Sequence, residues 1–144
     1  MTSLTIIYKK FLGKIEEDEW GDWAEDDVKE DLRVLLDAAL PYFKFPKVSL
    51  DIDEDAEAFT EDLSNREIQI IATYMKIEWL NRTILTWETI KNFYDERDFS
   101  PGNLLDKLNT TFEREKKNAV AFENLYYRSI NNKPFDYTKL AGKG

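Results

Sequence analysis

From Ser64 to Tyr127 the chain reads as two long amphipathic helices joined by one short turn, and this hairpin constrains everything around it. Ser64-Asn65-Arg66-Glu67 is a capping box: a Ser side chain satisfies a backbone N–H three residues on, and the Glu there reaches back, just before an apolar run. The apolar residues recur to about Tyr94, roughly 45 Å of helix at about 1.5 Å per residue. They fall on two stripes. Ile68, Ile71, Ala72, Met75 and Trp79 form one; Ile70, Tyr74, Ile77, Ile84 and Trp87 form the other. A helix apolar on two sides has to be covered on two sides. The following helix is one cover, and the N-terminal helices or a neighbouring subunit supply the second. Asp98-Phe99-Ser100-Pro101-Gly102 makes the turn, with Ser100 as N-cap and Pro101 at the first helical position. Leu104, Leu108, Phe112, Ala119, Phe122 and Tyr126 mark one face of the second helix, and Glu113 to Lys117 reads as a solvated charged face.

The segments before the hairpin are shorter. Leu4, Ile7, Tyr8, Phe11, Leu12 and Ile15 recur at helical spacing behind Ser3, so a helix is expected over 3–15. Glu16-Glu17-Asp18-Glu19 ends it, and Trp20-Gly21-Asp22-Trp23 reads as a turn. A second helix is expected from near Asp22 to Leu40, with Val28, Leu32, Leu35, Leu36 and Ala39 on one face. Glu25, Asp26 and Asp27 lie in its first turn, where they complement the helix dipole, and Pro41 closes it. Residues 43–63 alternate only in part. They read as an extended arm or small β-hairpin, with Pro46 arguing for an edge and Ala58-Phe59-Thr60 as the return strand. After Asn131-Asn132-Lys133-Pro134 the pattern is lost, leaving an extended tail with Phe135, Tyr137 and Leu140 at wide spacing. The expected fold is therefore mainly α: a helical bundle on a long hairpin, with a β-hairpin arm at 43–63 inserted in one domain (1–130), and an extended C-terminal tail (131–144).

Composition narrows the chemistry. The chain has 144 residues, 14 % of them aromatic, which suits one domain with a modest core. There is no Cys and no His. Thiolate zinc sites, thiol nucleophiles, disulfides and His-dependent triads are thereby excluded, and so is the side chain most used for proton transfer near neutral pH. Catalysis would have to rest on carboxylates, Lys, Tyr or Ser, and the expectation is a protein that is not an enzyme and holds no cofactor. No run of about 18 uncharged apolar residues is present, so no membrane span is expected. Lys9 and Lys10 break the one apolar run near the N-terminus, against a signal peptide, and a cytosolic origin is expected.

Charge is uneven. Residues 1–67 hold 19 acids and 8 bases, net −11; residues 68–144 hold 10 acids and 12 bases, net +2; together these give −9. An acidic chain is poorly suited to gripping phosphates. The asymmetry favours head-to-tail contacts between copies, or a basic partner, although acids also serve solubility. Asp51, Asp53 and Asp55 match positions 1, 3 and 5 of an EF-hand loop, but Ala56 stands where Gly makes the sharp turn, and Asp62 where a bidentate Glu closes the site. A solvated acidic loop is the better reading. The dense carboxylates of 16–31 include pairs of the kind glycosidases use, but such a pair needs one pKa raised in a cleft, and clusters this dense and polar are expected to be solvated. No Gly-rich phosphate loop is present, and Lys116-Lys117 is diluted by Glu113 and Glu115. Trp79 and Trp87 are expected in the core. Trp20 and Trp23, inside the acidic run, are expected as anchors at a contact, as are the tail residues Phe135, Tyr137 and Leu140.

The order of these parts resembles the small head–tail connector (neck or adaptor) proteins of tailed bacteriophages. The likeness spans most of the chain. It rests on the acidic Trp20-to-Trp23 turn, Asp31-Leu32-Arg33-Val34-Leu35-Leu36, Phe43-Lys44-Phe45-Pro46, and Asp62-Leu63-Ser64-Asn65-Arg66-Glu67-Ile68. It continues in Tyr74-Met75-Lys76-Ile77-Glu78-Trp79-Leu80-Asn81-Arg82 and Asp98-Phe99-Ser100. None of these is a catalytic signature. The resemblance implies a helical virion subunit, assembled in the bacterial cytoplasm into a homo-oligomeric ring, commonly of twelve copies, beneath the portal protein. Such a ring extends the DNA channel, lets DNA pass without sequence-specific binding, and docks the tail or a second neck protein. The alternative from the same residues is a cytosolic acidic binding protein, such as a phage-encoded inhibitor that mimics DNA charge.

Overall fold

The computed structural model describes residues 1–15, 24–91 and 101–128. They form a mainly helical fold with one small antiparallel sheet. In chain order these are strand β1 (Thr2–Ser3), helix α1 (Leu4–Leu12), helix α2 (Glu25–Ala39), a 3-10 turn (Leu40–Tyr42), strands β2 (Ile52–Asp53) and β3 (Ala58–Phe59), and helices α3 (Asn65–Lys91) and α4 (Pro101–Tyr127).

Helix α3 is the axis of the fold, and its start is the capping box read from the sequence. The Glu67 N–H donates to Ser64 Oγ at 3.2 Å, and the Ser64 N–H donates to Glu67 Oε1 at 2.7 Å. Both apolar stripes are buried within one chain: Ile71, Ala72, Met75 and Trp79 on one side, Ile70, Ile77 and Ile84 on the other. Polar pairs show what covers each side. Tyr74 and Lys76 flank the second stripe and reach Glu123 and Glu115 on α4. Arg82, on the side of the first stripe, makes a two-pronged pair with Asp31 of α2 at 2.8 and 3.0 Å. The second cover is thus the N-terminal helices and not a neighbouring subunit, because α1 and α2 both pack on α3 and share one core with it. Trp79 is buried and Trp87 half-buried against this core.

Helix α1 is capped by Ser3, whose Oγ accepts from the Thr5 N–H at 3.3 Å, and it ends at Leu12 rather than at residue 15. Its Ile7 and Phe11 are fully buried. Helix α2 starts at Glu25, with three acids in its first turn, and Pro41 falls in the 3-10 turn that follows. The arm is strand only at Ile52–Asp53; residues 43–51 cross the end of α4 because Phe43 goes into the core and the Lys47 N–H finds a side-chain acceptor there. The return strand is central: Phe59 pairs with Ile52 on one side and Thr2 on the other, in the order β1-β3-β2. The partner Thr2–Ser3 was not expected. Thr2 is held by its hydroxyl, which donates to the Glu61 carbonyl and accepts from the Leu63 N–H. The tail (131–144), the acidic turn at 16–23 and the turn Asp98–Ser100 lie outside the described residues.

Candidate docking surfaces

The densest polar and aromatic construction is at the C-terminal end of α4. No basic residue lies in the last turn of α4. Cations from elsewhere take that place: Lys47 Nζ donates to the Tyr126 carbonyl at 3.2 Å, and Arg66 Nη1 to the Leu125 carbonyl at 3.2 Å. Carbonyls without intrahelical donors are satisfied, and positive charge meets the negative end of the dipole.

Tyr126 is the hub. Its hydroxyl donates to Glu67 Oε2 at 2.7 Å and accepts from the Lys47 N–H at 2.6 Å. Its ring meets Phe43 edge-on at 5.3 Å and carries Lys47 Nζ 4.7 Å from its centroid. Burial, and then the Glu67 carboxylate, push its hydroxyl well above the ordinary phenol range. One turn earlier, the Glu123 carboxylate accepts from two phenols, Tyr74 on α3 and Tyr127 on α4. Both are raised above the usual range by burial and by that carboxylate. Tyr42 stacks on Tyr74 at 5.6 Å, and Phe45 meets Tyr127 edge-on at 6.3 Å.

The inner half of this cluster is structural; the outer half faces solvent. Phe45 is 71 % exposed, Tyr42 51 % and Tyr127 37 %. Three aromatics on one end of a small protein form a sticky surface of the kind that marks contacts. The five residues expected at contacts, Trp20, Trp23, Phe135, Tyr137 and Leu140, all lie outside the described residues. The sequence signals for Tyr42, Phe45 and Tyr127 were the runs Tyr42-Phe43-Lys44-Phe45 and Tyr126-Tyr127, which read as arm and core rather than as one face.

Two of the clefts among the described residues are lined by charged side chains. One, of about 260 Å³, has Tyr8 at its base and Asp26, Glu30, Arg33, Glu54 and Glu57 around it. Arg33 holds its walls together, bidentate to Glu54 at 2.8 and 2.6 Å and bonded to Asp37 at 2.9 Å. The other, of about 290 Å³, lies between α1, α3 and α4, with Phe122 and Leu125 below Lys10 and Arg66.

The acidic loop is spent on its own turn. Asp53 Oδ1 accepts from the N–H groups of Asp55 and Ala56, Glu54 is held by Arg33, and Asp62 by the Met1 amino group at 2.6 Å. Among the described residues, no group of three or more acidic side chains is placed to hold a metal ion. The stretch 113–117 is a correction: Glu115 is buried, because it shares a face of α4 with Leu108, Ala119 and Tyr126, and it pairs with Lys76 at 3.3 Å. The two buried carboxylates among the described residues, Glu67 and Glu115, are thus both engaged in packing. No helix among the described residues is long and apolar enough to cross a membrane.

Comparison with protein-family models, with curated proteins and with solved structures finds no match.

Proposed function

We propose that this chain is a structural, non-catalytic subunit of a tailed-phage neck: a head–tail connector that assembles as a ring between portal and tail and extends the DNA channel. The observation that carries this reading is the division of labour in the fold. Among the described residues, the buried polar side chains are committed to rigidity, and the exposed aromatics Tyr42, Phe45 and Tyr127 are gathered at one end. Glu67, Glu115 and Glu123 hold helices together. Among the described residues, no buried side-chain nitrogen or oxygen is left without a partner. A rigid body with an aromatic end is built to be held by neighbours. Phe45, Tyr42 and Tyr127 are the contact surface of this reading, and Phe135, Tyr137 and Leu140 of the C-terminal tail are its further contact residues, for a neighbouring subunit or the portal.

The acids suit the same role. Residues 1–67 carry a net charge of −11, and Glu25 and Asp26 at the start of α2 and Glu61 before α3 are exposed. Carboxylates facing a channel repel phosphates and let DNA slide. The test is composition of purified particles by mass spectrometry together with an image of the neck. Multiple copies in a ring beneath the portal are expected; absence from particles, or a single copy, would sink the reading.

The exposed carboxylates of α2 also favour a second reading, a cytosolic DNA-mimic inhibitor. Capture of a nucleic-acid-binding enzyme that is released by high salt, by a chain absent from particles, would favour it. The exposed aromatic end has no part in that reading.

A further inference from the structure

We propose that two opposite faces of the fold, the outer face of α2 and the outer face of α4, bind each other between copies, head to tail. This rests on the reading of the chain as an assembling subunit and names the surfaces that do it.

The placement comes first. Helix α3 is enclosed from Glu67 to Leu80, with α4 on the side of Tyr74 and Lys76 and α2 on the side of Arg82. The solvent faces of α2 and α4 therefore point away from each other, on opposite sides of the central helix. One copy cannot bring them together, but two copies can.

The chemistry of the two faces is complementary. On α2, Leu32, Leu35, Leu36 and Ala39 turn inward, which by helical spacing sends Asp27, Glu30, Val34 and Asp37 outward. On α4, Leu105, Leu108, Glu115, Ala119 and Tyr126 turn inward, which sends Arg114, Lys117 and Val120 outward, and Arg128 is exposed just past the helix end. Each face carries a bare valine among charges of one prevailing sign: Val34 is 56 % exposed and Val120 57 %. The prevailing sign is negative on α2 and positive on α4. Each face also carries opposing charges: on α2 Lys29 lies 3.8 Å from Glu25 and Arg33 2.9 Å from Asp37, and on α4 Glu113 lies 3.7 Å from Lys116, Glu123 is held by Tyr74 and Tyr127, and Asp106 sits nearer the N-terminal end. An exposed apolar residue on each of two faces that differ in prevailing charge suits a contact whose rim sets orientation and whose centre excludes water. Because the two surfaces differ and lie on opposite sides, the contact is heterologous: it propagates, and closes into a ring when the rotation per copy permits.

The test uses the full chain and its state of association, read by sedimentation velocity over a range of concentration and salt. Arg114→Glu with Lys117→Glu makes both faces acidic; Asp27→Lys with Glu30→Lys makes both basic. All four side chains are solvent-facing, so folding should be intact by circular dichroism. Each pair alone is expected to weaken self-association at least tenfold. An equimolar mixture of the two variants is expected to co-assemble in alternation, and all four changes in one chain to restore assembly. Assembly of the wild type should also weaken with salt. An oligomer indifferent to both reversals overturns the proposal and leaves the connector reading standing, and a wild-type chain monomeric at all concentrations also overturns it. Assembly that follows the charge pattern, by a chain absent from particles, supports this inference while sinking the connector reading.

Discussion

The Tyr126 hydroxyl sits between Glu67, to which it donates at 2.7 Å, and the Lys47 N–H, from which it accepts at 2.6 Å. One oxygen thus ties the end of α4 to the start of α3 and to the segment leaving the 3-10 turn. Glu67 is 4 % exposed, and the Ser64 N–H is its other donor. Tyr126→Phe keeps the ring and its contact with Phe43 but strips a donor from a buried carboxylate and the acceptor from a backbone N–H. An unpaired buried polar group costs about 1–3 kcal/mol, more for a charge. A loss of about 3 kcal/mol is expected in urea unfolding. Tyr127→Phe is the control: its hydroxyl bond, at 3.1 Å, is exposed, and the expected loss is under about 1 kcal/mol.

The same tyrosines predict alkaline sensitivity. Tyr8 is pushed up to about 12, mainly by burial and against the pull of Arg33. Tyr74, Tyr126 and Tyr127 are raised too, by burial first, and Tyr42 chiefly by the nearby Glu78. Unfolded tyrosine titrates near pH 10. Above that pH the unfolded chain releases protons that the folded chain retains, so stability falls as pH rises. The contribution of Tyr8 is fully present below about pH 10 and is lost as pH climbs through about 12. Urea unfolding across this window should show a steep decline, and Tyr8→Phe should flatten it relative to its own value at neutral pH. A decline of the same slope in Tyr8→Phe would show that Tyr8 takes no part.

Much of this fold was legible because its signals are local. Ser64 and Glu67 announce α3 three residues apart, Pro101 opens α4 and Pro41 closes α2. The two stripes of α3 said that both sides would be covered, but not by what. That answer lies in pairs such as Arg82 with Asp31, which are 51 residues apart. The hub at Tyr126 was read as one more apolar position, since nothing near it in sequence reveals Glu67 or Lys47. Strand β1 failed for a similar reason: two residues carry no periodicity, and Thr2–Ser3 is strand only because Phe59 presents a free edge. The aromatic end joins Tyr42 and Phe45 to Tyr127 across the whole chain, so neither run alone suggested a surface.

Backbone strain in the hairpin gives a stabilising prediction. Glu57 has φ of 50°, the one positive value at a described non-glycine residue, and its carbonyl accepts from the Leu4 N–H at 3.0 Å. It closes the turn between β2 and β3, where the chain must reverse into a left-handed residue. For a residue with a Cβ this costs about 1–2 kcal/mol, whereas glycine adopts it freely at some entropic cost. Glu57→Gly is expected to raise stability by about 0.5–1 kcal/mol. Glu57→Ala, which keeps the Cβ, should give no such gain in thermal unfolding, which separates relief of strain from removal of a carboxylate beside Glu54.

Lys76 and Glu115 offer the clearest separation between what a contact costs to break and what it contributes. They join α3 to α4 at 3.3 Å, with side chains only 15 % and 11 % exposed. Lys14, whose pKa burial lowers and Glu115 raises, is the next cation in reach of that carboxylate. Glu115→Leu would leave Lys76 without its acid in a poorly solvated place, with Lys14 near it. Breaking one side of such a pair costs about 3–5 kcal/mol, and partial exposure puts this case near 3. Replacing both, as Lys76→Met with Glu115→Leu, removes the buried charge along with the pair and is expected to leave stability within about 1 kcal/mol of the wild type. A double variant as unstable as the single one would mean that the pair itself, and not the stranded charge, holds α3 against α4; calorimetry of the two variants and the wild type decides between the two.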